Sequence, residues 1–569
     1  MLAYNHGYMI LPEDKFKDVV IKAGLVTEAA MPELLAYAMT TGRPLDEVMV
    51  DKGVVTDQKL GELVAEFLKV PFISLGRMQI PQQVFAIVPE RLARKQKIIA
   101  FARDESGVKV AMADPTRVDL VEMLAKKTGT KILPHLATQQ DIFNVLRSYE
   151  KDLQGAVDDL LKEEAWSARS ALEDPPVAKI VDLLIDTAYQ ERASDIHIEP
   201  EETDCLVRFR VDGMLHDVLT VPKYLHDRII TRIKVQSSLR TDEHLSAQDG
   251  KMRMQLEEEI LDIRVSIVPI ASGEKSVLRL LSSRSREYSF SDLGMNDADL
   301  KKVQEAYSRS YGMILSTGPT GSGKTTSIYS VLKVLNTREK NITTIEDPVE
   351  YRIKGANQIQ VNVKTNLTFA NGLRSILRQD PNIIFVGEIR DSETAGIAVN
   401  AALTGHLVLS TLHTNDAATA IPRLTDMKVE PFLVASTVNI IVAQRLVRQV
   451  CSQCKEEMSV EWEEFAKNFP PESLKVVFGT NHKVKMFKGR GCRACRNTGY
   501  SGRVGLFEVL AVTKEIRKLV TQKADSDVIL KKAIEEGMRT MLQDGLDKIN
   551  RGVTTIEEVL RVTKAEFMT

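Results

Sequence analysis

The segment 318–325 constrains the fold of this chain more than any other part of its sequence. It has the sequence Gly-Pro-Thr-Gly-Ser-Gly-Lys-Thr and lies between a short apolar run, 313–317, and a stretch with helical periodicity. This is the G-x-x-x-x-G-K-[ST] pattern of a phosphate-binding loop, in the strand–loop–helix order that such a loop requires. Glycines let backbone amides converge on phosphate oxygens, and the following helix adds its positive dipole end. We therefore expect an α/β domain that binds a nucleoside triphosphate.

The side chains of this loop have predicted roles in binding ATP and Mg²⁺. The Lys324 ammonium is expected to reach the β- and γ-phosphates, and the Thr325 hydroxyl is expected to bind Mg²⁺. The predicted nucleotide-binding residues are Gly318, Thr320, Gly321, Ser322, Gly323, Lys324, Thr325 and Thr326. The alternative is a chance match, and eight residues in the correct setting argue against it.

Two glutamates follow predicted strands of the same domain. Glu346 lies in Thr-Thr-Ile-Glu-Asp-Pro at 343–348, and Glu388 ends the segment 383–388. Ligands of α/β sheets bind beyond the carboxyl ends of the strands, so both carboxylates are candidates. Gly387 stands where many Walker B strands carry aspartate. We therefore predict that Glu388 holds Mg²⁺ through a water and that Glu346 is the catalytic base. Exchanged roles, or a salt-bridge or helix-cap role for Glu346, stay open.

Two histidines flank the predicted strand 407–411. His406 precedes it and His413 follows it. Seven residues of separation along a strand put the two side chains on opposite faces, which argues against joint metal binding. We predict that His413 acts in catalysis and that His406 senses phosphate or contacts a neighbouring subunit. A hydrogen-bonded histidine of the core is the alternative for either one.

Four of the five cysteines form two Cys-x-x-Cys pairs, which are 37 residues apart. The pairs are Cys451 with Cys454 and Cys492 with Cys495. This spacing is typical of a closed Zn(Cys)₄ site, in which four thiolates leave no open position, so we predict a structural zinc ion. A redox role for either pair is the alternative. We expect the fifth cysteine, Cys205, to be a small buried apolar residue.

The length, net charge and hydrophobicity of the sequence limit the class of protein to which it can belong. A chain of 569 residues is too long for a single core. The formal net charge of −2 argues against a protein that binds nucleic acid through its overall charge. We find no window of 18 or more apolar residues and no secretory signal, and we expect a cytoplasmic protein. From residue 292 onward, strand-like runs alternate with helical patterns, which predicts a parallel sheet flanked by helices.

The first 70 residues contain a duplicated unit with an offset of 29 residues. Gly24 aligns with Gly53 and Thr27 aligns with Thr56, so glycines and threonines coincide as helix stops and helix N-caps. This pattern predicts a duplicated helix–turn–helix module. The predicted domains are the module at 1–70, a small α/β domain at 71–148, a linker at 149–174, an α+β domain at 175–290, and a motor domain at 291–569 with a tetracysteine subdomain at 445–505.

Together these motifs resemble the secretion ATPases of bacterial type II secretion and type IV pili. The resemblance rests on the phosphate-binding loop, the Asp box at 344–351, the Walker B strand at 378–391 and the His box at 404–416, and segments 193–200 and 208–213 are also similar. It implies a RecA-like motor domain, a preceding PAS-like α+β domain, and a homo-hexamer with ATP between these two domains. Arg264 and Arg279 match the arginines that the preceding domain directs at the γ-phosphate.

Within this family, the zinc-binding insert and the long N-terminal region resemble the extension motors. The resemblance implies a hexameric ATPase that polymerises pilin into a type IV pilus from the cytoplasmic face of the inner membrane. Its partner would be an inner-membrane platform protein. The alternatives are a type II secretion motor and a RecA-like nucleic-acid motor. The latter would need an electropositive pore and DNA-stimulated hydrolysis, and we expect no nucleic-acid partner.

The N-terminal repeat resembles the cyclic di-GMP-binding module of some pilus motors. Each half of that module starts with arginine-leucine-glycine, whereas this chain has Lys-Phe-Lys at 15–17 and Pro-Leu-Asp at 44–46. Arg43 is the basic candidate in the second half. Cyclic di-GMP is therefore a possible ligand for which the usual motif is incomplete.

Overall fold

The structure is a computed structural model. It describes residues 11–28, 31, 32, 34, 35, 38, 45–51, 54, 55, 57–75, 78, 80–148, 153–167, 176–256, 259–282, 290, 292–478, 485–492 and 495–563. Arg43, Gly53 and Thr56 of the predicted repeat lie outside the described residues. The chain forms two compact units, Met1–Lys151 with Cys492–Asn497, and Asp152–Gly491 with Thr498–Thr569. Among the described helices, none is both long enough and apolar enough to cross a bilayer.

The first unit begins with amphipathic helices that share one core. They are α1 (Glu13–Lys22), α2 (Leu45–Asp51) and α3 (Asp57–Leu68). Phe16 of α1 and Leu60 of α3 are fully buried in this core. Gly24 has a left-handed backbone with φ of 68°, and its N–H donates to the Ile21 carbonyl at 2.9 Å. The predicted glycine stop of α1 is therefore present in the structure.

A small three-stranded sheet follows in the same unit. Its elements are α4 (Gln82–Phe85), α5 (Glu90–Gln96), β1 (Ile98–Asp104), β2 (Gly107–Met112), α6 (Val118–Thr128), β3 (Ile132–Leu136) and α7 (Gln139–Ser148). β2 lies in the centre, antiparallel to β1 and parallel to β3. Strands and helices thus both occur in this region, which was predicted as a small α/β domain at 71–148.

The second unit begins with an α+β domain built on an antiparallel sheet in the order β6-β5-β4-β9-β8-β7. Its elements are α8 (Leu153–Ser167), α9 (Val177–Gln190), β4 (Asp195–Pro200), β5 (Asp204–Val211), β6 (Met214–Pro222), α10 (Lys223–Gln236), β7 (Gln248–Gln255), β8 (Ile260–Ile270) and β9 (Gly273–Leu281). Helices α9 and α10 cover one face of the sheet. Cys205 is fully buried on β5, and burial raises the pKa of its thiol to about 12, as expected of an inert core residue.

Helix α8 lies within the stretch that we predicted as a linker. Its residues Leu153 and Val157 are buried in the core of the α+β domain. The Gln154 side chain also exchanges two hydrogen bonds, of 2.9 and 3.1 Å, with the backbone of Thr220 on β6. The described part of this stretch is thus packed onto the domain that follows it, because its apolar side chains recur at helical spacing.

The motor domain is a mostly parallel sheet with helices on both faces. Its first part contains α11 (Asp297–Tyr307), β10 (Gly312–Thr317), α12 (Lys324–Leu335), β11 (Ile342–Glu346), β12 (Ala356–Gln360), a 3₁₀ turn (Val363–Thr365), α13 (Phe369–Ile376), β13 (Ile383–Val386), α14 (Ser392–Leu403), β14 (Leu407–Leu412), α15 (Ala420–Asp426), α16 (Pro431–Thr437) and β15 (Val438–Val450). The parallel order is β12-β11-β13-β14-β10-β15. Helices α11 and α12 pack on one face and α13 to α16 on the other. The predicted α/β class is therefore confirmed.

The last part of the chain adds an insert and a helical end. It contains β16 (Lys455–Ser459), α17 (Trp462–Ala466), α18 (Pro471–Phe478), β17 (Lys485–Gly489), β18 (Tyr500–Ala511), α19 (Lys514–Thr521), α20 (Ser526–Glu535), α21 (Met541–Asn550) and α22 (Ile556–Thr563). β18 pairs antiparallel with β15 and completes a seven-stranded sheet. The insert, with its two-stranded sheet β16-β17, connects the distal ends of this long strand pair.

Candidate active site

The phosphate-binding loop joins β10 to α12 through three glycines with positive φ. These are Gly318 (144°), Gly321 (77°) and Gly323 (88°). A Cβ atom at Gly318 would lie 2.5 Å from the Gln444 carbonyl oxygen and 2.6 Å from the Ser322 hydroxyl. The loop conformation therefore requires glycine for both backbone and steric reasons. Thr320 and Gly321 are exposed, and Thr325 and Thr326 are partly exposed at the start of α12.

Lys324 lies at the first position of α12 with its ammonium folded over the loop. Its Nζ donates to the carbonyls of Gly318 (2.8 Å) and Pro319 (3.0 Å). Burial lowers the pKa of Lys324 to about 8, the charge of Glu388 opposes this shift, and Arg445 adds to it. At pH 7 the side chain stays a cation at the loop, which suits it to phosphate oxygens.

Gln444, which the sequence analysis missed, braces the loop from β15. It is buried, its Nε2 donates to the Ser322 carbonyl at 2.7 Å, and its Oε1 accepts from the Ser327 hydroxyl at 2.7 Å. One side chain thus ties the loop to the first turn of α12. Its signal in the sequence is an amide that directly follows the apolar run of residues 440–443.

Gln444→Leu is expected to raise the KM for ATP about tenfold and to leave kcat within about twofold. The substitution keeps the volume but leaves two polar groups unpaired, at about 1 kcal/mol each, and about 1.4 kcal/mol corresponds to tenfold in affinity. Steady-state hydrolysis over a range of ATP concentrations measures both constants.

Asn439→Leu is the matched control for this substitution. Asn439 is also buried on β15, but it bonds Tyr311 and Arg309 at the opposite end of β10 from the phosphate-binding loop. Its KM should stay near the wild-type value. Equal changes of KM in the two variants would contradict a specific role of Gln444 at the loop.

Glu346 ends β11 as a buried carboxylate with three donors. Tyr329 Oη donates to Oε2, and Oε1 accepts from the Thr344 hydroxyl (2.6 Å) and from Gln358 Nε2 (3.2 Å). Burial raises the pKa of Glu346, and these hydrogen bonds oppose the rise. A carboxylate has about four lone-pair sites, and three of them accept these hydrogen bonds. The three donor side chains were not foreseen from the sequence.

Glu388 lies just beyond β13, between two basic side chains. Its Oε1 pairs with Arg390 at 2.7 Å and its Oε2 lies 3.2 Å from His413 Nε2. Glu388 and His413 follow adjacent parallel strands, and β10 with its loop lies on the other side of β14. The structure therefore brings Glu388, His413 and the phosphate-binding loop to one edge of the sheet.

His406 lies at the opposite end of β14 from His413. Its Nδ1 is 3.0 Å from the Ala401 carbonyl, and its own carbonyl accepts from Gly312 N–H at the start of β10. A strand of six residues spans about 20 Å, so the His406 side chain lies far from the phosphate-binding edge. Phosphate sensing by His406 does not fit this position, and a role at a subunit interface stays a prediction.

The two arginines of the α+β domain are neighbours in the sheet but point to different partners. Arg264 on β8 is opposite Arg279 on β9. Arg264 donates to the Val349 carbonyl at 2.7 Å and pairs with Glu350 at 3.2 Å, directly after the Asp box strand of the motor domain. Arg279 instead pairs with Asp195 of its own sheet at 2.9 Å and is more than half exposed. Only Arg264 reaches the motor domain in this structure.

The four paired cysteines come together as the sequence predicted. The Sγ atoms of Cys451, Cys454, Cys492 and Cys495 all lie within 4.8 Å of one another. Cys492 and Cys495 have their sulfurs 3.7 Å apart. Zinc–sulfur bonds of about 2.3 Å in a tetrahedron require sulfur separations of about 3.8 Å, so the thiols fit a zinc ion. Hydrogen bonds from Cys451 N–H to Gly499 O (2.9 Å) and from Arg490 N–H to Cys454 O (2.9 Å) fix the first knuckle.

Fold and site together define a RecA-like P-loop ATPase with a preceding α+β domain. A family model described as "Type II/IV secretion system protein" matches residues 170–561. The chain belongs to this family, and the resemblance noted from the sequence motifs is confirmed. A second model, the MshEN domain, matches residues 68–156, which begin where the N-terminal repeat ends.

The curated relatives are named after two different systems, type IV pilus assembly and type II secretion. The type IV pilus assembly ATPase PilB of Myxococcus xanthus is 38% identical over 559 residues, which are 95% of this chain and 98% of that protein. The type II secretion system protein E of Pseudomonas aeruginosa is 39% identical over 498 residues, 84% of this chain and 96% of that protein. Among solved structures, the ATPase DotB of Legionella pneumophila covers 68% of this chain and 95% of its own at 21% identity and a TM-score of 0.50, a likeness of fold alone.

Proposed function

We propose that this chain is the ATP-hydrolysing motor of type IV pilus assembly, working as a homo-hexamer at the cytoplasmic face of the inner membrane with a platform protein. The observation that carries the proposal is the end-to-end match to a pilus assembly ATPase, which includes the N-terminal unit. The second candidate is a type II secretion motor, which the 39% identity to a protein E supports over a smaller share of this chain.

Within this proposal, the residues at the carboxyl ends of the parallel strands have separate roles in ATP hydrolysis. Glu346 accepts a proton from the attacking water, for which a buried carboxylate with a raised pKa is suited. Lys324 and the loop amides bind the β- and γ-phosphates. Thr325 and Glu388 would hold Mg²⁺, which supplies positive charge to the phosphate oxygens, and His413 keeps Glu388 in place.

Arg264 and Arg279 would couple ATP hydrolysis to a movement of the α+β domain relative to the motor domain. Arg264 already contacts Val349 in the Asp box, whereas Arg279 is held by Asp195. Guanidinium groups bind phosphate through paired N–H donors, so a γ-phosphate would attract both arginines toward the motor domain. Loss of this phosphate would release the clamp and let the two domains rotate as rigid bodies.

Two further ligands belong to the proposal. The cysteine tetrad is proposed to bind one structural zinc ion. The N-terminal unit is a candidate for cyclic di-GMP, because the MshEN model matches 68–156, although the segments 15–17 and 44–46 lack the expected arginine-leucine-glycine start. We propose no nucleic-acid partner.

Deletion of the gene in its host distinguishes the two machines. We expect the deletion strain to lose surface pili and to keep the secretion of enzymes, and a plasmid copy should restore the pili. A copy carrying Lys324→Ala should not restore them. Retained pili with lost secretion would favour the type II secretion motor. Strong stimulation of hydrolysis by single-stranded DNA in the purified protein would instead favour a nucleic-acid motor.

A further inference from the structure

A buried carboxylate outside the four catalytic motifs lies on β18. Glu508 is 2% exposed, and its neighbours Leu506 and Leu510 on the same face belong to the apolar core. In the part of the chain that the structure describes, Glu508 has no ion-pair partner. Burial of a carboxylate costs free energy unless hydrogen bonds replace the lost water. Burial raises the pKa of Glu508 to about 7, and the Ala417 amide opposes this rise.

The two oxygens of Glu508 accept from two segments that are distant in sequence. Oε1 accepts from Ala417 N–H at 2.9 Å, and Oε2 accepts from Met541 N–H at 3.4 Å. Ala417 directly follows the His box, and Met541 is the first residue of α21. One side chain therefore ties the loop after His413 to the amino end of a C-terminal helix.

The loop 413–416 is also tied to the phosphate-binding strand at its other end. Thr414 N–H donates to Thr317 Oγ1 at 3.0 Å, and Thr317 Oγ1 lies 3.1 Å from the Thr414 carbonyl. Thr317 is the last residue of β10 before the phosphate-binding loop. Arg445 contacts the Asn415 carbonyl at 3.2 Å between these two ends. These hydrogen bonds hold the loop in one conformation. Glu508 accepts the hydrogen bond at the Ala417 end of the loop.

We propose that Glu508 is a positioning residue that fixes the loop 413–416, and through it His413, against Glu388. Glu508 does not touch the site itself, so it acts only through the loop. The inference rests on the proposed role of His413 beside Glu388.

Glu508→Gln tests this inference, because the substitution keeps the shape but replaces one acceptor oxygen by an NH₂ donor. We expect kcat for ATP hydrolysis to fall about tenfold, with KM for ATP within about twofold, because the phosphate-binding loop is untouched. Thr540→Ala is the matched control. It removes the cap of α21, a bond to Gln543 N–H, without touching the loop, and its kcat should stay near wild type at a comparable loss of thermal stability.

A double substitution separates positioning from general destabilisation. If Glu508 acts through His413, the variant His413→Ala/Glu508→Gln should have the kcat of His413→Ala alone. Multiplied losses in the double variant, or equal losses of kcat in Glu508→Gln and Thr540→Ala, would overturn the inference. A wild-type rate in His413→Ala would instead refute the proposed role of His413. A loss in His413→Ala with none in Glu508→Gln would refute only the role of Glu508.

Discussion

Glu346→Gln is expected to lower kcat for ATP hydrolysis by about 10²- to 10³-fold and to leave the Kd for ATP within about threefold of the wild-type value. General base catalysis contributes about 10²- to 10⁴-fold, and an amide cannot take the proton of the attacking water. Binding should be retained because Glu346 ends β11, whereas the phosphates are proposed to bind the loop after β10. Steady-state hydrolysis and equilibrium binding of a fluorescent ATP analogue measure the two quantities.

Lys324→Ala supplies the contrast to this variant. Removal of the ammonium should weaken both ATP binding and turnover, because Lys324 is proposed to contact phosphate in the ground state and in the transition state. A normal kcat in Glu346→Gln would make the base assignment wrong. If Glu388→Gln then abolished turnover with ATP binding retained, the two glutamates would have the exchanged roles that the sequence left open.

Much of the site could be predicted because its residues lie in local patterns. The apolar run 313–317 lies within β10, and the first four residues of the segment 383–388 are β13. Both are continuous apolar runs with polar or glycine-containing turns at their ends, as expected of parallel strands buried on both faces. Parallel strands in one sheet place their carboxyl ends together. The position of Glu388 near the phosphate-binding loop was expected from this rule.

The parts that could not be predicted depend on contacts between distant segments. β15 and β18 pair over their full length across the whole insert, and a sequence pattern gives no register for such a pair. Gln444 and Glu508 are buried polar residues in these strands, and their partners lie in other elements. Arg264 and Arg279 have different partners because of how the two domains of the second unit pack together. The spacing of the motifs gives no information about this packing.

The histidine pair illustrates the same limit within one strand. The seven-residue spacing correctly separated His406 from His413, but periodicity alone does not say which end of a strand meets the phosphate. That assignment needs the strand direction in the sheet, which the loop after β10 fixes because β10 and β14 are parallel neighbours. His413 then falls at the phosphate edge and His406 at the opposite edge.

Cys451→Ser is expected to lower the zinc content of the purified protein from about one ion per chain to near zero. It should also lower the unfolding temperature of the motor domain by roughly 10 °C. Structural zinc binding contributes its free energy to folding, at about 10 kcal/mol or more in small zinc domains, and a loss of even about 4 kcal/mol shifts the midpoint by this amount. Metal analysis of the protein and thermal unfolding followed by circular dichroism measure the two effects.

Cys205→Ala is the matched control for the loss of a thiol. Cys205 is buried on β5, outside the tetrad, so this variant should keep its full zinc content. Cys451 directly follows β15, and Gln444 in the middle of this strand braces the phosphate-binding loop, so loss of zinc should loosen the strand pair before it alters the chemistry. Full zinc content in Cys451→Ser would contradict the four-thiolate site. Loss of zinc with unchanged thermal stability would contradict its structural role.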